Sequence, residues 1–106
     1  MVSELERRFV DVIVALGEGE VVSYGDIAEV AGAPGRARAV GHLLATHDGA
    51  SGVELPWWRV VTSNGRLVPG HEREQRRLLL AEGVIVRGGR VVDAPAGRFR
   101  RSPARP

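Results

Sequence analysis

The sequence predicts a mostly α-helical domain with short β-hairpins, organised around a helix-turn-helix. Apolar residues recur at helical spacing in segments that open on capping residues, and two of those segments are short and joined by a tight glycine turn. The second half carries brief β-branched runs broken by Asn-Gly and Gly-Gly, which are hairpin-turn signals.

Ser3 and Glu6 form a capping box for a first helix, in which Leu5, Phe9, Val12, Ile13 and Leu16 repeat along one face until Gly17. The pair Val21-Val22 is too short for more than a brief strand. Ser23 with Asp26 repeats the capping signature and starts a second helix, Tyr24 to Ala31, which stops at Gly32. After the Ala33-Pro34-Gly35 turn a third helix runs from Arg36 to Thr46. Beyond the loop HDGASGVE, Trp58 to Thr62 reads as a strand, and Asn64-Gly65 turns it back into Arg66-Leu67-Val68. A fourth helix, Glu72 to Glu82, points Leu78 and Leu79 at the core and closes at Gly83. Val84-Ile85-Val86 and Arg90-Val91-Val92, around Gly88-Gly89, predict a second hairpin. There is no internal repeat.

A chain of 106 residues fits one domain and buries roughly two-thirds of its unfolded surface. Its hydrophobic fraction of 43% and charged fraction of 26% are those of a globular protein. No run reaches the roughly 18 apolar residues of a bilayer helix, and Met1 leads into charged residues without a signal-peptide core, so a cytoplasmic location without membrane contact is expected. Cysteine is absent, which excludes disulfides, thiolate metal sites and thiol nucleophiles. His42, His47 and His71 show no metal-ligand spacing, so neither metal nor other cofactor is called for.

All 15 basic residues are arginine, a side chain suited to forked contacts with phosphate, although lysine-free usage also follows from genomic base composition. Nine arginines face 12 acids up to Val86; from Arg87 onward six arginines face only Asp93. The expected division is therefore a folded domain over residues 1–92 and a basic tail over 93–106. That tail suits a polyanion or simply solvent.

In GRARAVGHLLATH, Val40, Leu43 and Leu44 can face the core, while Ala37 and Gly41 leave a smooth face from which Arg36, Arg38 and His42 protrude. Such a face suits docking into a nucleic-acid groove, with phosphates held by helix N-termini and arginine, or close packing against another helix. Both tryptophans stand together in LPWWRVV, where alternation along a strand would point Trp57 and Trp58 in opposite directions.

In order and spacing, VVSYGDIAEVAG, ARAVGHLL, LPWWRVVTSNG and LLLAEGV resemble the DNA-binding domain of the O6-alkylguanine-DNA alkyltransferases, over roughly Leu5 to Val84. Those enzymes carry proline, a reactive cysteine, histidine, arginine and valine where this chain has Pro56, Trp57, Trp58, Arg59 and Val60. The chain is more similar still to the alkyltransferase-like proteins, which keep the fold and the damaged-base pocket but replace the nucleophile. The fold so implied is a winged helix-turn-helix-like DNA-binding domain of the alkyltransferase type.

The resemblance also implies roles. Arg38 matches the finger arginine that enters the base stack through the minor groove and fills the space of the extruded nucleotide. Tyr24 matches the tyrosine that crowds the neighbouring phosphate, though a half-buried tyrosine at a helix end needs no DNA. Ala37 and Gly41 match the small residues of the groove-facing helix, and Ser63 and Asn64 the turn against the flipped strand. The lesion pocket is expected from Trp57, Trp58, Arg59, Val60 and Arg66, with His71 a further possible contact. Trp58 stands where a proton-relay histidine is usual. Glu82 matches the glutamate that orients that histidine, and without it is expected to serve the helix end or an arginine such as Arg59.

Alkyl transfer needs a thiolate, which indole cannot replace at neutral pH. Indole instead offers an apolar wall, and stacking a base on an aromatic ring contributes about 1 to 3 kcal/mol. The expectation is a monomeric, non-enzymatic binder of double-stranded DNA containing O6-alkylguanine, which flips the lesion and, by the resemblance, hands it to nucleotide excision repair proteins. A helix-turn-helix transcription regulator is the alternative, although ARAVGHLL is poor in polar base readers and no dimerisation segment is evident. A hydrolase has less support, since no nucleophile elbow, phosphate loop or metal motif accompanies HDG and HER.

Overall fold

In the computed structural model, which describes residues 3–46 and 54–97, the elements follow the order α1 (Glu4–Val14), β1 (Val22–Ser23), α2 (Tyr24–Val30), α3 (Ala37–Thr46), a 3-10 turn (Trp57–Arg59), β2 (Val60–Val61), α4 (Glu72–Ala81), β3 (Ile85–Arg87) and β4 (Arg90–Asp93). The helices lie within one or two residues of their expected bounds. Both capping boxes form: Ser3 Oγ accepts from the Glu6 amide and Ser23 Oγ from the Asp26 amide, each at 3.1 Å, while Glu6 and Asp26 return the bond to the serine amides. Gly32, at φ 83°, ends α2 in the left-handed region that side chains disfavour.

The strand expected over Trp58 to Thr62 is only partly present, and its hairpin with Arg66-Leu67-Val68 shrinks to the turn itself, closed by the Thr62 amide donating to the Arg66 carbonyl at 3.1 Å. Trp57 to Arg59 coil into a 3-10 turn, in which the Arg59 amide donates to the Pro56 carbonyl at 3.0 Å. β2 pairs instead with β1, in parallel, with Val22 opposite Val60 and Ser23 opposite Val61. The physical reason is burial: all four residues lie inside, and their backbone groups need partners there. The Asn64-Gly65 turn is present, with the Gly65 amide donating to the Thr62 carbonyl at 2.8 Å and Gly65 at φ 80°. The chain after it leaves β2 and joins β4. Arg66 bridges Arg90 antiparallel, the Leu67 amide donates to the Gly89 carbonyl at 2.9 Å, and the Val91 amide donates to the Gly65 carbonyl at 2.8 Å. With the antiparallel pair β3–β4, expected from sequence, this makes the wing.

Two apolar clusters form the core. Phe9, Ile13, Ile27, Val40, Leu43 and Leu55 join α1, α2 and α3, and Val22 and Val60 belong with them. Val21, Val61, Leu67, Leu79, Val84, Val86, Val91 and Ala94 join α4 to the wing. Neighbouring residues of the β1 and β2 segments thus serve opposite clusters, as alternation along an extended chain requires. The packed chain continues past Val92: β4 runs to Asp93, Ala94 is buried, and the Ala96 amide donates to the Gly19 carbonyl at 3.0 Å. Most of the expected basic tail, residues 98–106, and the loop at 47–53 with His47 lie outside the described residues.

Ser23 is buried and ties β1 to the start of α2. Ser23→Ala should lower unfolding stability by about 1 kcal/mol, seen as a lower urea midpoint at unchanged slope.

Candidate functional site

A cavity of about 390 Å³ opens between α3 and the chain on either side of β2. Tyr24, Gly41, Leu44 and Ala45 form one side, Trp57 another, and Val68, Pro69 and His71 the lip. Its placement follows from the β1–β2 register. Tyr24 directly follows β1 and Trp57 lies just before β2, so the parallel pair brings the phenol and the indole to one opening.

Small groups complete it. A Cβ built on Gly41 would lie 3.5 Å from the Tyr24 ring, in ordinary van der Waals contact, so the ring sits close against α3 with space for at most a methyl group between them. Burial pushes the Tyr24 hydroxyl above its ordinary pKa, and it stays a neutral donor and acceptor. The His71 ring stands edge-on to Trp57, with centroids 5.8 Å apart. The lining is apolar and aromatic with a few polar groups, the usual character of a small-molecule or base pocket.

Of the five residues expected in the pocket, Trp57 lines it and Trp58, Arg59, Val60 and Arg66 do not. Because the 3-10 turn rotates successive side chains apart, the two indoles meet at 89° with centroids 6.3 Å apart. Trp58 packs on the second core cluster and donates its indole N–H to Glu82 Oε2 at 2.8 Å. Arg59 lies against Trp58 and turns inward, donating to both Glu82 oxygens and to the Leu16 carbonyl. Val60 is wholly buried in β2. Arg66 is exposed on the wing, where its backbone pairs with Arg90.

Glu82 is the hub of this inner network. Its side chain is only 9% exposed; one oxygen also accepts from the Gly19 amide at 2.8 Å, and Arg59 Nη2 approaches the other at 2.7 Å. Burial by itself would raise the carboxyl pKa. The bonds from Arg59, Gly19 and Trp58, with the arginine's charge, outweigh that effect and hold it below the usual glutamate range. The expected service to Arg59 is therefore present, and Trp58 occupies the carboxylate as well.

Of the residues expected to touch DNA, Tyr24 and Gly41 line the cavity and the others lie around it. Arg36 and Arg38 are exposed at the start of α3 and, with His42, border a separate groove against Ser3, Glu6 and Phe9 of the α1 region. Ala37 is half-buried at the head of α3, and Ser63 and Asn64 are exposed at the turn. The smooth face of α3 is thus split: Gly41 meets the Tyr24 ring, and the arginines remain outside.

Sequence reasoning missed Leu44, Ala45, Val68 and Pro69 as lining residues, and Gln75 altogether. Gln75 is wholly buried. Its signal was spacing, since it lies four residues before Leu79 on the inward stripe of α4.

The family model described as 6-O-methylguanine DNA methyltransferase, DNA binding domain, matches residues 4–84. The chain belongs to that family. It is an alkyltransferase-like member, similar in structure to the ATL of S. pombe solved in complex with DNA, at a TM-score of 0.74 and 26% identity over 97% of this chain and 99% of that one. S. pombe Atl1 in complex with damaged DNA containing O6-carboxymethylguanine gives 0.70 and 29% identity, over 80% and 81% of the two chains. Among sequences, the alkyltransferase-like chain is 42% identical over 95 residues to the DNA base-flipping protein of Escherichia coli (strain K12), covering 88% of this chain and 72% of that protein. It is 38% identical over 80 residues to the methylated-DNA–protein-cysteine methyltransferase of Mycobacterium leprae (strain TN), covering 76% of this chain and 47% of that one.

Because Glu82 has its folded pKa depressed, its contribution to stability is complete above the ordinary glutamate range and is lost as pH falls through the lowered folded value. Glu82→Gln should flatten that acid-side loss in denaturant titrations run at stepped pH. Glu82→Ala, which strands the Arg59 charge and the Trp58 N–H, should cost about 3 kcal/mol at neutral pH.

Proposed function

We propose that the alkyltransferase-like chain binds duplex DNA containing O6-alkylguanine, extrudes the altered nucleotide into the Trp57 cavity and holds it there without alkyl transfer. The observation that carries this reading is an aromatic-walled cavity beside a helix-turn-helix, in a chain with no cysteine. The E. coli relative named for base flipping and the S. pombe relative solved with O6-carboxymethylguanine DNA support it.

The chemistry is differential binding. An extruded base stacks against Trp57 or packs its alkyl group there, while Tyr24 and His71 supply the polar groups at the rim. Extrusion costs a few kcal/mol and less for a poorly paired, damaged base, so part of the preference precedes any pocket contact. Arg38, exposed at the head of α3, serves as the finger that occupies the vacated stack, and the α3 face with Ala37 docks in the minor groove. Ser63 and Asn64 touch the backbone of the flipped strand. Trp57 stands at the position of the family's nucleophile. With no thiolate the complex forms reversibly and leaves the lesion in place, so its use is recruitment, with nucleotide excision repair proteins as the receiving partners.

The deciding measurement compares a duplex containing one O6-methylguanine with its undamaged match across a salt series. The lesion duplex should bind at least about tenfold more tightly, and Trp57→Ala should remove most of that preference. Equal affinity for both duplexes, or tight binding to one undamaged sequence alone, would sink the reading and favour a transcription regulator.

A second outcome concerns chemistry. Trp57→Cys should take up no methyl group from labelled O6-methylguanine DNA, because Trp58 occupies Glu82 where a relay histidine would be needed. Methyl uptake by that variant, detected by mass spectrometry, would show that the thiol alone suffices.

A further inference from the structure

Gln75 does not touch the cavity, yet its amide holds two of the cavity's walls. Its Oε1 accepts from the Val68 amide at 2.7 Å, at the lip. Its Nε2 donates to the Trp58 carbonyl at 3.1 Å and to the Val60 carbonyl at 3.0 Å, on the segment that carries Trp57. The three partners leave one orientation of the amide, because an N–H on the lip demands an acceptor and two carbonyls on the turn demand donors. Glutamate offers only acceptors when ionised. Methionine has similar length and offers no comparable bond. The side chain is 0% exposed, so water cannot replace a missing partner and each bond has a fixed length to keep.

We propose that Gln75 is a positioning residue that sets the distance between the Val68 lip and the Trp57 wall, and through it the size of O6-alkyl group the cavity accepts. The proposal rests on the lesion-binding reading above and adds a determinant of selectivity within it. The two walls belong to segments that share no strand pairing with each other: β2 pairs with β1, and the chain after Asn64-Gly65 pairs with β4. Gln75 joins them from α4. A change in its length or bonding moves the lip relative to the indole while leaving Arg38, Ala37 and the rest of α3 in place.

The test uses the full chain with Gln75→Met and Gln75→Glu, and three duplexes that differ only in carrying guanine, O6-methylguanine or O6-benzylguanine. Folding is read by thermal unfolding, and affinity for the guanine duplex reports the α3 docking surface. The ratio of methyl to benzyl affinity should move by about tenfold, the equivalent of one hydrogen bond, with guanine-duplex affinity held within about twofold. A folded variant whose lesion affinities fall together, at an unchanged ratio, would make Gln75 merely structural and overturn the proposal. A second measurement needs no variant: in the wild-type chain, the Gln75 side-chain amide proton resonances should shift differently with the methyl and benzyl duplexes. Identical shifts with both would also overturn it. Failure of the underlying reading looks different, since the wild-type chain would then bind guanine and O6-methylguanine duplexes equally.

Discussion

The Glu82 carboxylate ties together three separate parts of the chain. It collects the Gly19 amide from the loop before β1, the Trp58 indole and Arg59 guanidinium from the 3-10 turn, and it sits itself at the end of α4. A buried carboxylate without partners would take up a proton or destabilise the fold. Here its donors outweigh the loss of water, and the arginine also reaches the Leu16 carbonyl just beyond α1. The rotation of the turn follows from this arrangement. With Trp58 and Arg59 directed inward to one acceptor, Trp57 is left to face the cavity.

Two residues of parallel strand then carry this local geometry to the helix-turn-helix. The pairing of Val22 with Val60 and of Ser23 with Val61 places the capped start of α2 beside the end of the turn. Tyr24 meets Trp57 for that reason, without any direct bond between them. A two-residue ladder is weak alone. It holds because its side chains divide between two core clusters, so sliding the register would expose valines on both sides.

The helices were legible because their signals are local. Ser3 with Glu6 and Ser23 with Asp26 announce starts that the structure reproduces bond for bond, and Gly32 announces a stop. The second hairpin was legible for the same reason, from Gly88-Gly89. The first was not. Asn64-Gly65 truly turns the chain, but which strands flank that turn depends on β1, some 40 residues away in sequence, and on β4 beyond α4. The site divides similarly. Trp57, expected in the pocket, lines the cavity, and so do Tyr24 and Gly41, which were expected at the DNA interface instead. Arg59, Val60 and Arg66 were placed with Trp57 because they are neighbours in sequence or wing, whereas a 3-10 turn separates side chains that a strand would align. Gln75 was passed over because a glutamine on a charged helix reads as surface, and its burial is explained by the Trp58 and Val60 carbonyls and the Val68 amide, which its side chain satisfies.

A histidine at the place of Trp58 could serve both Glu82 and a nucleophile, whereas the indole serves Glu82 alone. Histidine and tryptophan both present a ring N–H, so an indole can satisfy the same carboxylate. The indole nitrogen has no available lone pair, however, and can neither accept a proton from a thiol nor pass one on. Satisfying Glu82 and activating a nucleophile are therefore separable demands, and only the first is met. On the proposed reading this changes where selectivity must lie. A transferase can correct loose recognition by a slow, irreversible chemical step that only an alkylated base permits. A binder has no such step, and all of its discrimination must appear as a difference in affinity between lesion and guanine. The shape of the Trp57 cavity, and the buried groups that hold its walls apart, then bear whatever part of that difference the easier extrusion of the lesion does not supply.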